Sequence, residues 1–386
     1  MTRATADVVV VGAGILGASA AHNLANAGLK VIILEKGSPN REGSGTTAGN
    51  LHIQAIHPSR PGQEVPADIK RFLPLQIASS GLWESIESEL DANVELRRGG
   101  GLMVAETPTQ VAELTSKNRM EHDFGLETEL IDGSTARGMV PQLARSVAMA
   151  NWCSQDGYAN PLLITPAFLR SARRRGAEIL AFSPVRSITM TAAGTYVVNH
   201  QHGVAEAPIV INAAGAHISH IAKMAGITMT SSPVAIQMHI TTRIPPLMTT
   251  LVQHVSEGLS VKQVRSGQML IGGGWPAAAT HLEGRSPVSL ASIIGNLRQA
   301  QRILPFLKDL KLLRAWAGPL AAVPDELPVI GKINDRPGFI VMGGTYAFTL
   351  APLWGRVAMQ LAVGQEPSID IHDLTPSRLQ QESESH

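Results

Sequence analysis

The run Asp7-Val8-Val9-Val10-Val11-Gly12-Ala13-Gly14-Ile15-Leu16-Gly17, answered by Glu35, constrains the fold of this chain more than any other feature. Val8–Val11 is a continuous β-branched stretch, the pattern of a strand buried on both faces of a parallel sheet. Residues 15–27 are rich in Ala and Leu, and Gly28 stands where a helix ends. Val31–Leu34 supplies a second buried strand, so residues 7–35 predict a βαβ unit. The three glycines occupy the strand-to-helix turn, and Glu35 follows at the ~20-residue spacing that brings an acid to a ribose diol. Gly12 permits the tight turn, Gly14 lets a pyrophosphate approach the backbone, and Gly17 lets helix and strand close up. Unpaired N–H groups at the helix start then favour the phosphates. The pattern predicts a bound dinucleotide and leaves NAD and FAD both open.

Composition removes several other classes. Lys plus Arg number 32 against 31 Asp plus Glu, a balance without the concentrated basic face that nucleic acid or an anionic membrane requires. Cys153 is the sole cysteine of the 386 residues, which excludes an internal disulfide framework and a cysteine-rich metal or iron–sulfur site. No metal site is expected; His217 and His220 lack further ligands. The apolar run Val8–Ala21 is shorter than the ~18 residues of a membrane span. The expectation is a soluble, unprocessed, cytoplasmic protein.

Further along, helical spacing over residues 67–90 carries Pro74, expected to kink or split the helix. Strands are expected at 94–97 and 101–105, and a helix over 109–124. A helix begins at Asn160-Pro161 or at Thr165-Pro166, both being an N-cap followed by Pro at the first helical position. Residues 231–275 alternate strands and turns and suit an antiparallel sheet. A helix over 289–304 and a closing helix over 350–363 follow, and the polar tail from Gln380 to His386 is expected to fray.

Three later segments bear on the cofactor. Gly43-Ser44-Gly45-Thr46-Thr47-Ala48-Gly49-Asn50 is small and polar, suited to following an extended dinucleotide beyond its pyrophosphate. Residues 209–216, Ile-Val-Ile-Asn-Ala-Ala-Gly-Ala, form a strand running into a small-residue turn. Gly343-Gly344-Thr345-Tyr346-Ala347-Phe348-Thr349-Leu350 is a glycine-rich turn entering a helix, whose N-terminus would stabilise charge on a flavin pyrimidine ring.

With these pieces in this order, together with DGYANP (156–161) and PDELPVIG (324–331), the chain resembles the FAD-dependent D-amino-acid oxidase, glycine oxidase and sarcosine oxidase superfamily from residue 7 to about 363. Within it, the sequence is most similar to the B subunits of bacterial opine (octopine or nopaline) oxidases, and to hydrogen cyanide synthase and two-flavin amino-acid dehydrogenase subunits. The resemblance implies an α/β fold with a GR2-type, Rossmann-like FAD domain and a mixed α+β substrate domain. The expected boundaries are 1–66, 155–230 and 323–386 for the first, 67–154 and 231–322 for the second. It implies FAD held by Gly12, Ala13, Gly14, Ile15, Leu16, Gly17, Glu35, Lys36, Ser44, Thr46, Thr47, Ala48, Gly49, Asn50, Val185, Ala213, Ala214, Gly215, Gly344, Phe348, Thr349 and Leu350. It also implies hydride transfer from the carbon beside an amine to flavin N5, with hydrolysis of the resulting imine, in the service of opine catabolism. A partner redox subunit in a heteromeric complex, with FMN at the interface, completes the implication.

Departures from the family pattern matter as well. Sarcosine oxidases tether FAD through a cysteine in the last third of the chain; Cys153 lies far upstream, so FAD is expected to be non-covalent. The basic carboxylate-binding residues of that family are absent, with His52 and His57 after the small-residue loop and Tyr346, Phe348 and Thr349 in the closing turn. The candidate substrate residues are therefore His52, Tyr346, Gln237 and His239, the last two on one face of a strand expected to cover the flavin. No general base is assigned, since the neutral substrate amine supplies the electronic push. Two alternatives stand beside this reading: a stand-alone D-amino-acid or glycine oxidase using O2, and an electron-relay flavoprotein.

Overall fold

The computed structural model describes residues 2–56 and 67–380. His57 and the tail beyond Gln380 lie outside the described residues.

Val8–Val11 and Val31–Leu34 are completely buried strands at the centre of a six-stranded sheet. Its order is Val329–Ile333, Arg336–Gly343, Ile209–Asn212, Val8–Val11, Val31–Leu34, Glu178–Leu180. Every neighbouring pair is parallel except the first, a hairpin. The helices Ile15–Asn26, Pro161–Arg174 and Ala347–Ala362 cover one face, because their Ala-, Leu- and Trp-rich sides bury against Val8, Val10, Val31 and Ile33. A smaller sheet covers the other face: the meander Val185–Met190, Tyr196–His200 and Gly203–Ala207, with Thr2–Thr5 pairing parallel to its last strand. Val9, Val11, Ile32, Val198 and Ala205 fill the space between. This is the doubly covered parallel sheet that the first βαβ unit requires.

The second sheet has eight strands, in the order Leu312–Leu320, Val234–Arg243, Gln268–Gly272, Ser260–Gln263, Leu251–His254, Gly101–Ala105, Met149–Cys153, Glu129–Asp132. Leu251–His254 runs parallel to Gly101–Ala105, and the other pairs are antiparallel. Helix Leu290–Ile303 packs behind this sheet on a core containing Val252, Val261 and Ile271. Its other face looks toward the cofactor side.

Several local expectations are corrected. Within the segment 67–154 expected for the substrate domain, Phe72, Leu73, Trp83, Ile86, Leu90 and Val94 join the core under the closing helix. Pro74 sits inside a continuous helix Ala67–Glu84, because packing on that core overrides the local penalty. No strand forms at 94–97; Glu95 adopts φ +56°, and Arg97 makes an isolated bridge to Tyr158. Gly43–Thr46 is one helical turn, and Thr2–Thr5 and Glu178–Leu180 are strands that the sequence pattern does not signal. Of the two possible helix starts, Asn160 is the N-cap: its side chain accepts the Leu162 N–H at 2.9 Å, and Pro161 takes the first position.

Candidate active site

The glycine turn leaves no room for side chains. Gly12 has φ +104°, and a Cβ there would stand 2.6 Å from the Ala213 carbonyl oxygen. A Cβ on Gly17 would overlap the Gly12 carbonyl oxygen, and one on Gly14 would sit 3.0 Å from Ser44 Oγ. Ser44 Oγ accepts the Ile15 N–H at 2.9 Å, tying the small-residue turn to the helix start. Glu35 is nearly buried; its carboxylate accepts the Ala13 N–H and the Gly37 N–H, each at 2.8 Å. Each oxygen keeps further lone pairs for a ribose diol.

From this turn a cleft of about 1140 Å³ runs to the closing helix and on beneath the eight-stranded sheet. It exceeds the ~300–1,000 Å³ of ordinary ligand pockets, as an extended dinucleotide plus a substrate requires. Of the expected cofactor residues, Gly12, Gly14, Ile15, Leu16, Glu35, Lys36, Ser44, Thr47, Ala48, Asn50, Val185, Ala213, Ala214, Gly215, Gly344, Phe348 and Thr349 line it. Five stand behind the wall. Ala13 and Leu350 are core, Gly17 backs onto Gly12, Thr46 packs against Gly318, and Gly49 packs against Ala159 and Pro161.

Two buried amide oxygens on this wall, Asn40 Oδ1 and Asn50 Oδ1, have no protein partner. Buried polar atoms are rarely left so, and these are placed for a ligand rich in hydroxyls and ring nitrogens. Tyr346 caps the closing helix in the left-handed conformation, φ +56°, without a side-chain cap. The first-turn N–H groups of that helix therefore have no side-chain acceptor. Unclaimed donors at both helix mouths, a ribose acid and small residues between them fit FAD.

The substrate candidates divide. His52 and Tyr346 both line the cleft. The His52 N–H is 3.2 Å from Thr349 Oγ1 and its carbonyl accepts Gln76 Nε2 at 2.7 Å, while the Tyr346 ring stacks on Phe72 at 4.7 Å. Gln237 and His239 face the other way. His239 Nδ1 is 3.0 Å from Asn296 Oδ1 on helix Leu290–Ile303, Gln237 Nε2 is 3.0 Å from His239 Nε2, and Gln237 Oε1 accepts the Ser289 N–H at 2.8 Å. Strand alternation therefore presents Val234, Ile236 and Met238 to the cleft instead. Met103 and Gln253 join them.

Behind Gln253 lies a buried polar network. Asp156 accepts from the Ile53 N–H (2.8 Å), the Gln54 N–H (3.0 Å), Gln54 Nε2 (2.8 Å) and Gln253 Nε2 (3.1 Å). Burial pushes its pKa up to about 6 despite these donors. Beside it Lys117 Nζ bonds Gln54 Oε1 (2.9 Å) and Glu121 Oε1 (2.5 Å). Lys262, also buried, bonds the Ala48 carbonyl at 2.5 Å and lies 4.3 Å above the Tyr158 ring; desolvation holds its pKa well below the usual lysine range. Sequence spacing carries no signal for this network or for the lining residues Arg41, Arg186 and 319–322, which are far apart in the chain.

Cys153 is buried on strand Met149–Cys153 and does not line the cleft; burial pushes its thiol pKa up. Acid precipitation of the flavin-loaded protein is therefore expected to leave all flavin in the supernatant, and a yellow pellet would contradict it. Among the described residues, no group of three or more His, Cys, Asp or Glu could hold a metal ion, and no helix is long and apolar enough to cross a membrane.

Residues 7–361 match the family described as FAD dependent oxidoreductase. The chain belongs to that family. Among curated relatives, human mitochondrial dimethylglycine dehydrogenase is 25% identical over 97% of this chain, which spans only 44% of that protein's length. An opine oxidase subunit of Rhizobium meliloti is 25% identical, over 93% of this chain and 94% of its own. The crystal structure of glycine oxidase from Geobacillus kaustophilus superposes with a TM-score of 0.87 at 24% identity, over 97% of this chain and 99% of that one. The fold is thus that of the FAD-dependent oxidoreductases.

Proposed function

We propose that this oxidoreductase oxidises the C–N bond of an opine of the octopine or nopaline class and passes the electrons to a redox partner chain. The observation that carries the substrate class is the charge along the cleft. Among its described lining residues, Lys36 and Arg41 follow Glu35 and Arg186 follows Val185, all toward the nucleotide. The part bordered by the eight-stranded sheet, its loops and helix Pro108–Asp123 carries Glu113 and Glu257 and no lysine or arginine. A substrate that brings its own cation suits such an end, and these opines carry an arginine-derived guanidinium. Similarity along nearly the full length of an opine oxidase component, itself named as one subunit of that enzyme, supports the same class and a partner.

Held along this cleft, FAD would supply the two-electron acceptor for the hydride lost from the carbon beside the substrate nitrogen. The protein's share is placement. Ile236, Met238 and Met103 give the reacting end an apolar cover that limits water. His52 and Tyr346 reach the same space and are proposed to hold a substrate carboxylate by neutral hydrogen bonds, in place of an arginine.

Anaerobic addition of octopine or nopaline to the flavin-loaded protein is expected to bleach the visible flavin band, with slow recovery in air. Bleaching by glycine or D-amino acids alone, with rapid peroxide formation, would assign a stand-alone oxidase. A flavin that no amine bleaches would point to electron relay and sink the proposal.

A further inference from the structure

Strand Gln268–Gly272 and helix Leu290–Ile303 are joined by residues 273–289, a strap without helix or strand. It is longer than the ~12–15 residues beyond which unstructured connections are uncommon and tend to serve as lids. Its base is tied to the substrate sheet: the Ala277 N–H donates to the Ala235 carbonyl and Thr280 Oγ1 accepts the Ala235 N–H, both at 2.9 Å. Its tip closes on itself, the His281 N–H donating to Ser286 Oγ at 3.0 Å.

The tip meets the cofactor side through the Leu282 carbonyl oxygen. That atom lies 3.3 Å from Lys36 Nζ and 3.2 Å from His217 Nε2, and Lys36 Nζ lies 2.8 Å from His217 Nε2. An ammonium only donates, so His217 Nε2 must accept from Lys36, and a second Lys36 N–H reaches the Leu282 carbonyl. Burial, then the Lys36 charge, holds the His217 pKa below the usual histidine value, consistent with a neutral, accepting ring. Glu42 Oε1, at 3.8 Å from Lys36 Nζ, balances the charge. Lys36 directly follows the ribose acid Glu35, His217 lies just beyond Gly215, and Lys36, His217 and Glu283 border the cleft.

We propose that the strap is a clasp over the adenosine end of FAD, latched to the Leu282 carbonyl by Lys36, which His217 Nε2 holds in place, and that it opens for cofactor exchange. The inference rests on FAD lying in this cleft. A loop from the substrate sheet is thereby fastened to the nucleotide side of the cleft. Lys36 and His217 are then retention residues, remote from the reacting end of the cleft.

The test follows FAD release from the holoenzyme by the rise in flavin fluorescence on dilution. His217→Leu, Lys36→Met and a strap shortened by deleting residues 282–285 are each expected to release FAD about tenfold faster, the scale of one charge-assisted hydrogen bond. In the shortened-strap background, His217→Leu is expected to add less than about twofold, because both changes undo one latch. Trypsin is expected to cut after the exposed Arg285 faster in His217→Leu holoenzyme than in wild type. Release rates within about twofold of wild type, or effects that multiply in the double variant, would overturn the clasp. A wild-type protein that binds no FAD would instead strike at the cofactor assignment.

Discussion

Gly17→Ala is expected to emerge from purification largely colourless, with FAD affinity lowered roughly a hundredfold, or ~2.7 kcal/mol. The added methyl would overlap the Gly12 carbonyl oxygen and stand 3.3 Å from Val10 Cγ1. Backbone cannot yield as a side-chain tip would, so helix Ile15–Asn26 must lift from strand Val8–Val11. That displacement moves the helix-start N–H groups and disturbs the Ile15 N–H to Ser44 Oγ bond. Gly28→Ala is the control. Gly28 has φ +83° with nothing within 4 Å of an added Cβ, so the variant is expected to lose about 1 kcal/mol of stability and keep its FAD. Titration of the apoproteins with FAD measures both. Equal affinities for Gly17→Ala and wild type would contradict the close-approach account.

Asp156→Ala is expected to cost about 3–5 kcal/mol in folding stability, because it strips the acceptor from four buried donors. Gln253, which faces the substrate end, loses its anchor as well. The pH dependence has a definite sign. With a folded pKa of about 6 against 3.8 unfolded, the native state binds more protons than the unfolded state between those values. Wild-type stability from this group therefore falls as pH rises through that window and is flat above it. The gap between wild type and Asp156→Ala should widen by about 1 kcal/mol on going from pH 7 to pH 5. Urea unfolding at the two pH values gives the comparison; a gap that narrows on acidification would place the Asp156 pKa on the other side of its ordinary value.

What the sequence reveals here is what lies close together in the chain. The first βαβ unit is legible because strand, turn, helix and acid fall within residues 7–35 and each is fixed by a local pattern. Strand parity is not legible in the same way. Val234–Arg243 has apolar residues at 236 and 238 and polar ones at 237 and 239, and it is the polar face that is buried while the apolar one is mostly half-buried. The polar face resembles a site in sequence, yet Gln237 and His239 satisfy each other, Asn296 and the Ser289 N–H behind the sheet. Only the position of helix Leu290–Ile303 decides the matter. The parallel pairing of Leu251–His254 with Gly101–Ala105, and the meeting of Lys36, His217 and Leu282, likewise join residues whose separation leaves no periodic trace. The apolar spacing of helix 67–84 shows that one face is buried without showing against what.

The cofactor account stands or falls on the visible absorption spectrum of the purified chain, recorded as isolated and again after incubation with FAD and removal of the excess. A yellow protein retaining one flavin per chain, all of it released by acid, is the predicted result. Protein that is colourless at both stages would contradict the claim that one long dinucleotide bridges the glycine bend and the mouth of the last helix.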